Sequence, residues 1–170
     1  QGAFSRVSSS RTGIHSFSTF VNGKEWFALH PEYFSLVRGK RVPALTAAGP
    51  GQLCLTHPDL LDLTVKKLRE FISADRAEAG QGGLRPPKVY WINQNDVYAA
   101  HCECSGCRAI VEREGGESGP LITFLNAVAQ AIEADYPDVL VGTIAYNQTS
   151  PPPKHVRPRD NVLIGWCDVY

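Results

Sequence analysis

The strongest constraint on the fold is a set of four short apolar runs: 52-QLCLT-56, 88-KVYWINQND-96, 138-DVLVGTIAYN-147 and 161-NVLIGWCDVY-170. A strand half exposed to water alternates apolar and polar residues; one covered on both faces reads as a continuous run, the habit of parallel sheets. Parallel strands need long crossovers, and two of the three intervals carry helical patterns. The first opens at 56-THPD-59, with Thr56 as the expected cap and Pro58 in the first turn, and places Leu61, Val65, Leu68 and Ile72 on one stripe. The stretch 74-ADRAEAGQGGLRPP-87 then reads as a surface connection. The second helix is predicted from about Ser118 to Tyr136, with Leu121, Phe124, Leu125, Val128, Ala129 and Ile132 at helical spacing and Pro137 as its stop. The last interval, 148-QTSPPPKHVRPRD-160, is a Pro-rich crossover without a helix.

Strand, helix, strand, helix, strand, strand is an α/β order with right-handed crossovers. A closed (β/α)8 barrel takes eight units and typically about 250 residues, so these units amount to a partial TIM-barrel-like segment, its first half. No Gly-rich phosphate fingerprint follows any strand, which weakens the alternative of a doubly wound nucleotide fold. Residues 1–51 differ: 33-YFSLVRGKRVP-43 reads as a hairpin turning at Arg38-Gly39-Lys40, and 44-ALTAAGPG-51 as loop. We therefore expect one segment over 1–170, a hairpin-rich part followed by βα units from 52. The chain starts at Gln1 and contains no Met, as a piece of a longer protein would, and unpaired strand edges are expected at 52–56 or 161–170.

Composition excludes some partners. With 17 basic and 17 acidic residues, no global field draws the chain to nucleic acid or an anionic membrane. No apolar run approaches the roughly 18 residues of a membrane span, and the start QGAFSRVSSSRTG is not a signal peptide.

Ligands of α/β folds lie beyond the carboxyl ends of the parallel strands. Those ends are polar here: Asn93, Gln94, Asn95 and Asp96 after the second run, Tyr146, Asn147 and Gln148 after the third, Asp168 and Tyr170 in the fourth, and His57 after the first. Asn and Asp after a strand are also ordinary turn formers, but the repetition at three ends points to a polar pocket. Strands lie about 4.8 Å apart, so Asp96 and Asp168, separated by one strand, would have backbones roughly 10 Å apart. That suits a carboxylate pair across a glycosidic bond, or one carboxylate orienting a substrate acetamide. His15 in 13-GIHSFSTF-20 and Tyr146 are further candidates to line such a pocket, while Trp91 and Trp166 are expected to pack inside strands.

The stretch 93-NQNDVYAAHCECSGC-107 adds Cys102, Cys104 and Cys107 behind His101. Three thiolates and one imidazole would complete a tetrahedral zinc site; a Cys104–Cys107 disulfide or plain buried thiols are the alternatives. A thioredoxin-like role fits less well, because Cys-Ser-Gly-Cys is not expected to open a helix here. A structural zinc is the one cofactor left open.

Taken in order, GIHSF, HPEYFSLVRGKRVP, QLCLTHPDL, NQNDVYAAHCECSGCRAI, SGPLITFLNAVAQAIEADYPDVLVGTIAY and PPPKHVRPRDNVLI resemble the bacterial family known as domain of unknown function 4838, over nearly the whole chain. The resemblance implies a (β/α) barrel akin to those of hexosaminidases and α-glucuronidases, in longer secreted or cell-envelope proteins of polysaccharide-degrading bacteria. Part of that family is classed as glycoside hydrolase family 163, cleaving β-N-acetylglucosaminide linkages of N-glycans. It implies an oligosaccharide partner, no membrane insertion, and the rest of the barrel elsewhere in the full protein. The family's Gln-Asn-Asp falls on Gln94, Asn95 and Asp96, its His-Ser-Phe on His15, Ser16 and Phe17, and its cysteine loop on Cys102, Cys104 and Cys107. Asp96 and Asp168 are then the expected catalytic carboxylates, and Asn95, Gln94, His15, Tyr146 and Asn147 the expected substrate contacts. One departure stands out: Cys-Ser-Ile-Glu of the family reads Cys167-Asp168-Val169-Tyr170 here, without the glutamate.

Overall fold

A computed structural model describes residues 7–167. Its centre is a three-stranded parallel sheet in the order β3 (Val89–Trp91), β4 (Leu140–Ala145), β5 (Val162–Trp166). The hairpin of β1 (Ser35–Val37) and β2 (Lys40–Val42) stands apart, turning at Arg38 and Gly39, both with positive φ. The class is therefore α/β, and among the described residues no sheet closes on itself.

The run 52–56 is not a strand of this sheet. It makes one antiparallel bridge, Phe34 to Leu53, and the far side of β3 is taken by residues 7–9 through a parallel bridge between Ser8 and Val89. Side chains explain the difference. Gln52 is 1% exposed, and its amide donates to Asn95 O and accepts from Asn95 NH, both at 2.8 Å, doing with a side chain what a ladder does with backbone.

Helix α3 (Pro58–Gly82) has Pro58 in its first turn as predicted, but its N-cap is His57 rather than Thr56, whose hydroxyl turns to the cysteine sulfurs, and it runs through 74–82, where a connection is expected. The alanine-rich ADRAEAGQ continues a helix at low cost, and the stop comes at Gly83, whose φ of 63° admits the left-handed cap. Its buried stripe is Leu60, Thr64, Leu68, Ile72, Asp75 and Ala79, which includes the predicted Leu68 and Ile72; in the first turns Leu60 and Thr64 take the place of Leu61 and Val65, which are only partly buried. Asp75 accepts from Ser9 Oγ at 2.6 Å and Arg11 Nε at 2.8 Å, which fastens the N-terminal segment to this helix. Short helices α1 (Phe17–Phe20) and α2 (Gly23–Trp26) follow that segment.

Helix α5 (Ser118–Glu133) buries all six predicted apolar residues against the sheet and α3. Before it lies α4 (Ser105–Glu114), so Cys-Ser-Gly-Cys does open a helix, contrary to expectation: Cys104 is its N-cap, and RAIVERE supplies good helix formers. The Pro-rich crossover has only a single helical turn at 147–149, as expected. Trp91 packs as predicted, lying over β4 and β5 where Gly142 and Gly165 leave room; a Cβ on Gly142 would meet the indole at 2.7 Å. Trp166 does not pack, being 70% exposed on β5, which pairs with β4 alone among the described residues.

Candidate functional site

Past Ile92, whose NH still donates to Gly142 O, the backbone after β3 is held by side chains and by the 16–17 turn rather than by strand pairing. Asn93 Oδ1 accepts from Ile144 NH at 2.8 Å, Ser16 Oγ donates to Trp91 O, and the NH groups of Ser16 and Phe17 reach Asn93 O. The Gln52 fork grips Asn95 next. Asp96, whose own NH donates to Ala47 O, is the first residue past these anchors, and its carboxylate is exposed.

Beyond the end of β4, the Tyr146 hydroxyl donates to Asp96 Oδ1 at 2.9 Å. The carboxylate pushes the ionisation of that phenol up, since losing the proton would put two negative charges together. The His15 ring stands edge-on to Tyr146 with centroids 5.5 Å apart, and its Nδ1 lies 2.9 Å from Gln94 O. A carbonyl only accepts, so Nδ1 carries hydrogen and, in the neutral ring, Nε2 holds the free lone pair. Three residues of this rim, His15, Ala99 and Asn147, have φ of 65°, 54° and 50° without being glycine. Such backbone costs energy and persists where surrounding structure imposes it, often at binding sites. The loops are also joined by Ala99 NH donating to Gln148 Oε1.

The second constellation lies at the far end of the loop that starts at Asp96. The Sγ atoms of Cys54, Cys102, Cys104 and Cys107 are all within 4.8 Å of one another, a group able to hold a metal ion. Cys54, Cys102 and Cys107 are buried and Cys104 partly so. Leu36 NH donates to Cys102 Sγ at 3.3 Å, and the Thr56 hydroxyl lies 3.3 Å from Cys107 Sγ and 3.6 Å from Cys104 Sγ. Gly106 makes that approach possible, because a Cβ there would sit 2.8 Å from Thr56 Oγ1. Crowding spreads the thiol acidities. Hydrogen bonds from Cys102 and Cys107 pull Cys54 far down; Cys102, drawn down by Cys107, is still pushed up to about 11 by Cys54 and burial. Cys107 is raised by Cys102 and Cys54.

The family described as "Domain of unknown function (DUF4838)" matches residues 2–170. The chain belongs to that family. No curated protein and no solved structure matches it.

Within this DUF4838 chain the predicted site residues divide. Asp96, Tyr146 and His15 come together at the rim, and Asn147 stands exposed beside them. Asn95 does not face that rim: it is fully buried, its amide donating to Gly51 O and accepting from Ser18 NH. Gln94 is 3% exposed and turns inward as well, donating to Tyr146 O, while its buried Oε1 has no partner. It borders a cavity of about 20 Å³ shared with His101, Glu117 and Thr149, room for one water. Asp168 lies outside the described residues.

The fourth member of the metal-competent group is Cys54, not the predicted His101. His101 turns to the small cavity near Glu117, where burial lowers its pKa to about 4 and keeps the ring neutral. Nothing in local spacing singles out Cys54, 48 residues ahead of Cys102 and set in an apolar run that reads as strand. The one available signal is that two of the chain's five cysteines, Cys54 and Cys167, lie outside the loop, since a distant further ligand is what a Cys-x-Cys-x-x-Cys loop lacks.

Proposed function

We propose that this chain is part of a glycoside hydrolase-like (β/α) barrel that acts on N-acetylglucosamine-containing glycans. The observation that carries the reading is the Tyr146 hydroxyl on the Asp96 carboxylate, at 2.9 Å, beyond the ends of two adjacent parallel strands. A carboxylate that receives one hydrogen bond from a phenol keeps its other oxygen for a substrate donor. In β-N-acetylglucosaminide cleavage that donor is the acetamide NH. Asp96 orients the acetamide so that its carbonyl oxygen attacks the anomeric carbon while the glycosidic C–O bond breaks and the departing oxygen takes a proton from a general acid; water then opens the cyclic intermediate and restores the acetamide, in the substrate-assisted variant of retaining hydrolysis. Tyr146 fixes the carboxylate, and His15 and Asn147 meet sugar hydroxyls. In the two-carboxylate version of the mechanism, Asp168 is the second carboxylate.

In this reading the protein works on oligosaccharide outside the cytoplasm, secreted or in the envelope, with the remaining barrel strands beside β5. A zinc ion on the four cysteines would brace the site and take no part in the chemistry.

The test is glycan turnover by the protein that contains this chain. Asp96→Asn is expected to lower kcat on N-glycan substrates by about a hundredfold or more, the range for a group acting on the reacting atoms, with little change in melting temperature. Tyr146→Phe is expected to lose less. Full turnover by Asp96→Asn would remove this carboxylate from the mechanism. Glycan binding without hydrolysis by the unmodified protein would instead identify a carbohydrate-binding barrel, the role that the absent glutamate favours.

A further inference from the structure

The loop 96–101 leaves the rim at Asp96 and enters the cysteine cluster at Cys102. Both of its ends are held by one short segment, 52-QLC-54: Gln52 through its amide to Asn95, and Cys54 through its thiol beside Cys104, with Sγ atoms 3.6 Å apart. We propose that Cys54, Cys102, Cys104 and Cys107 bind one zinc ion as four thiolates, and that this ion fixes the outgoing end of the Asp96 loop. This deepens the structural-zinc part of the proposed function, and its metal half stands whether or not the rim cleaves glycans.

Geometry supports zinc. Zinc–sulfur bonds of about 2.3 Å in a tetrahedron put sulfur atoms about 3.8 Å apart, and the cluster's spacing already approaches that value. Disulfide sulfurs would instead be about 2.05 Å apart, in two pairs. The surroundings are those of a thiolate site: Leu36 NH points at Cys102 Sγ, Arg41 Nη1 lies 3.9 Å from the same atom, and Thr56 reaches two more sulfurs. Cys104 and Cys107 occupy the N-cap and first turn of α4, where helix NH groups favour negative sulfur. Four protein ligands leave no open position, so the ion is structural rather than catalytic. It joins four parts of the chain: the hairpin through Leu36 and Arg41, the approach to α3 through Cys54, the outgoing loop through Cys102, and the start of α4.

The experiment starts from protein purified without chelator and without added reductant. We expect one zinc per chain by elemental analysis, and a 113Cd NMR resonance in the range of four-sulfur coordination after exchange. A signal typical of three sulfurs and one nitrogen, or two disulfides by mass with no metal, would overturn the site. Cys54→Ser is expected to lower zinc affinity at least about tenfold, whereas His101→Ala retains it; the reverse result would reinstate the imidazole. Should Cys54→Ser fail to fold, the 113Cd shift of the unsubstituted protein still decides the ligand set.

The second half is read by hydrogen exchange of the zinc-loaded and chelated protein. Amides of 97–104 are expected to exchange roughly tenfold faster without zinc, while β4 keeps its protection. Equal rates in the two forms would leave a metal that does not hold the loop, and would refute that half alone. Loss of zinc affinity with unchanged glycan turnover, or the converse, separates this proposal from the one on the rim.

Discussion

Replacing Gln52 by methionine keeps the length and shape of the side chain and removes its two hydrogen bonds. The Asn95 NH, satisfied by the Gln52 amide at 2.8 Å, is then left without that partner in a region where Asn95 itself is fully buried, while the Asn95 carbonyl keeps its bond from Val97 NH. The unpaired NH costs about 2 kcal/mol, the loss of one of the carbonyl's two bonds about 1 kcal/mol, and withdrawing a primary amide from the interior returns about 1 kcal/mol. The net loss is about 2 kcal/mol, which in a domain of this size lowers the melting temperature by roughly 4–8 °C. Urea denaturation should show a lower midpoint with an unchanged slope. A loss below about 0.5 kcal/mol would refute the claim that a side-chain fork replaces the missing ladder at 52–56. The same substitution should release the Asp96 loop at its incoming end, since the fork grips the residue just before Asp96.

Two further outcomes test neighbouring parts of this frame. Gly51→Ala would place a Cβ 2.2 Å from the Val42 carbonyl oxygen, a clash with backbone that cannot swing away, and should cost on the order of 3 kcal/mol; a melting temperature within about 2 °C of the parent would contradict that packing. Glu114 accepts from Val156 NH, Arg113 Nε and His155 NH, which hold its carboxyl at about 2 against an ordinary 4.5. Its folded-state pKa is depressed, so its contribution is present above about pH 4.5 and is lost as pH falls toward 2. The urea midpoint of Glu114→Gln should therefore fall less steeply over that interval than the parent's, and equal slopes would count against the carboxylate.

Much of the frame can be read from the sequence where one period dominates. Helix α5 carries its six apolar residues at unbroken helical spacing, and the hairpin turns where Arg38-Gly39 demands positive φ. The misreadings arise where a side chain substitutes for a backbone pattern. The run 52–56 has strand composition, but Gln52 and Cys54 spend it on an amide fork and a sulfur cluster. The stretch 74–82 contains glycines that suggest a loop, yet its alanines and the cap at Gly83 extend α3. At the rim, Asp96 and Tyr146 were legible because polar groups seldom gather after buried strands without cause. Asn95 and Gln94 belong to the same polar series and turn inward, a choice made by Gly51, Ser18 and Tyr146, which no local rule brings near.

Strand β3 is flanked by residues around Ser8 on one side and by Leu140–Gly142 on the other. In kinetic terms, its neighbours are distant in sequence, Ser8 lying 81 positions before Val89 and Leu140 lying 51 after it, and loops of that length must close before either side of the ladder is rewarded. Helices α3 and α5 can form from local contacts long before then. The parallel sheet, and with it the meeting of Asp96 with Tyr146, belongs to the late part of folding.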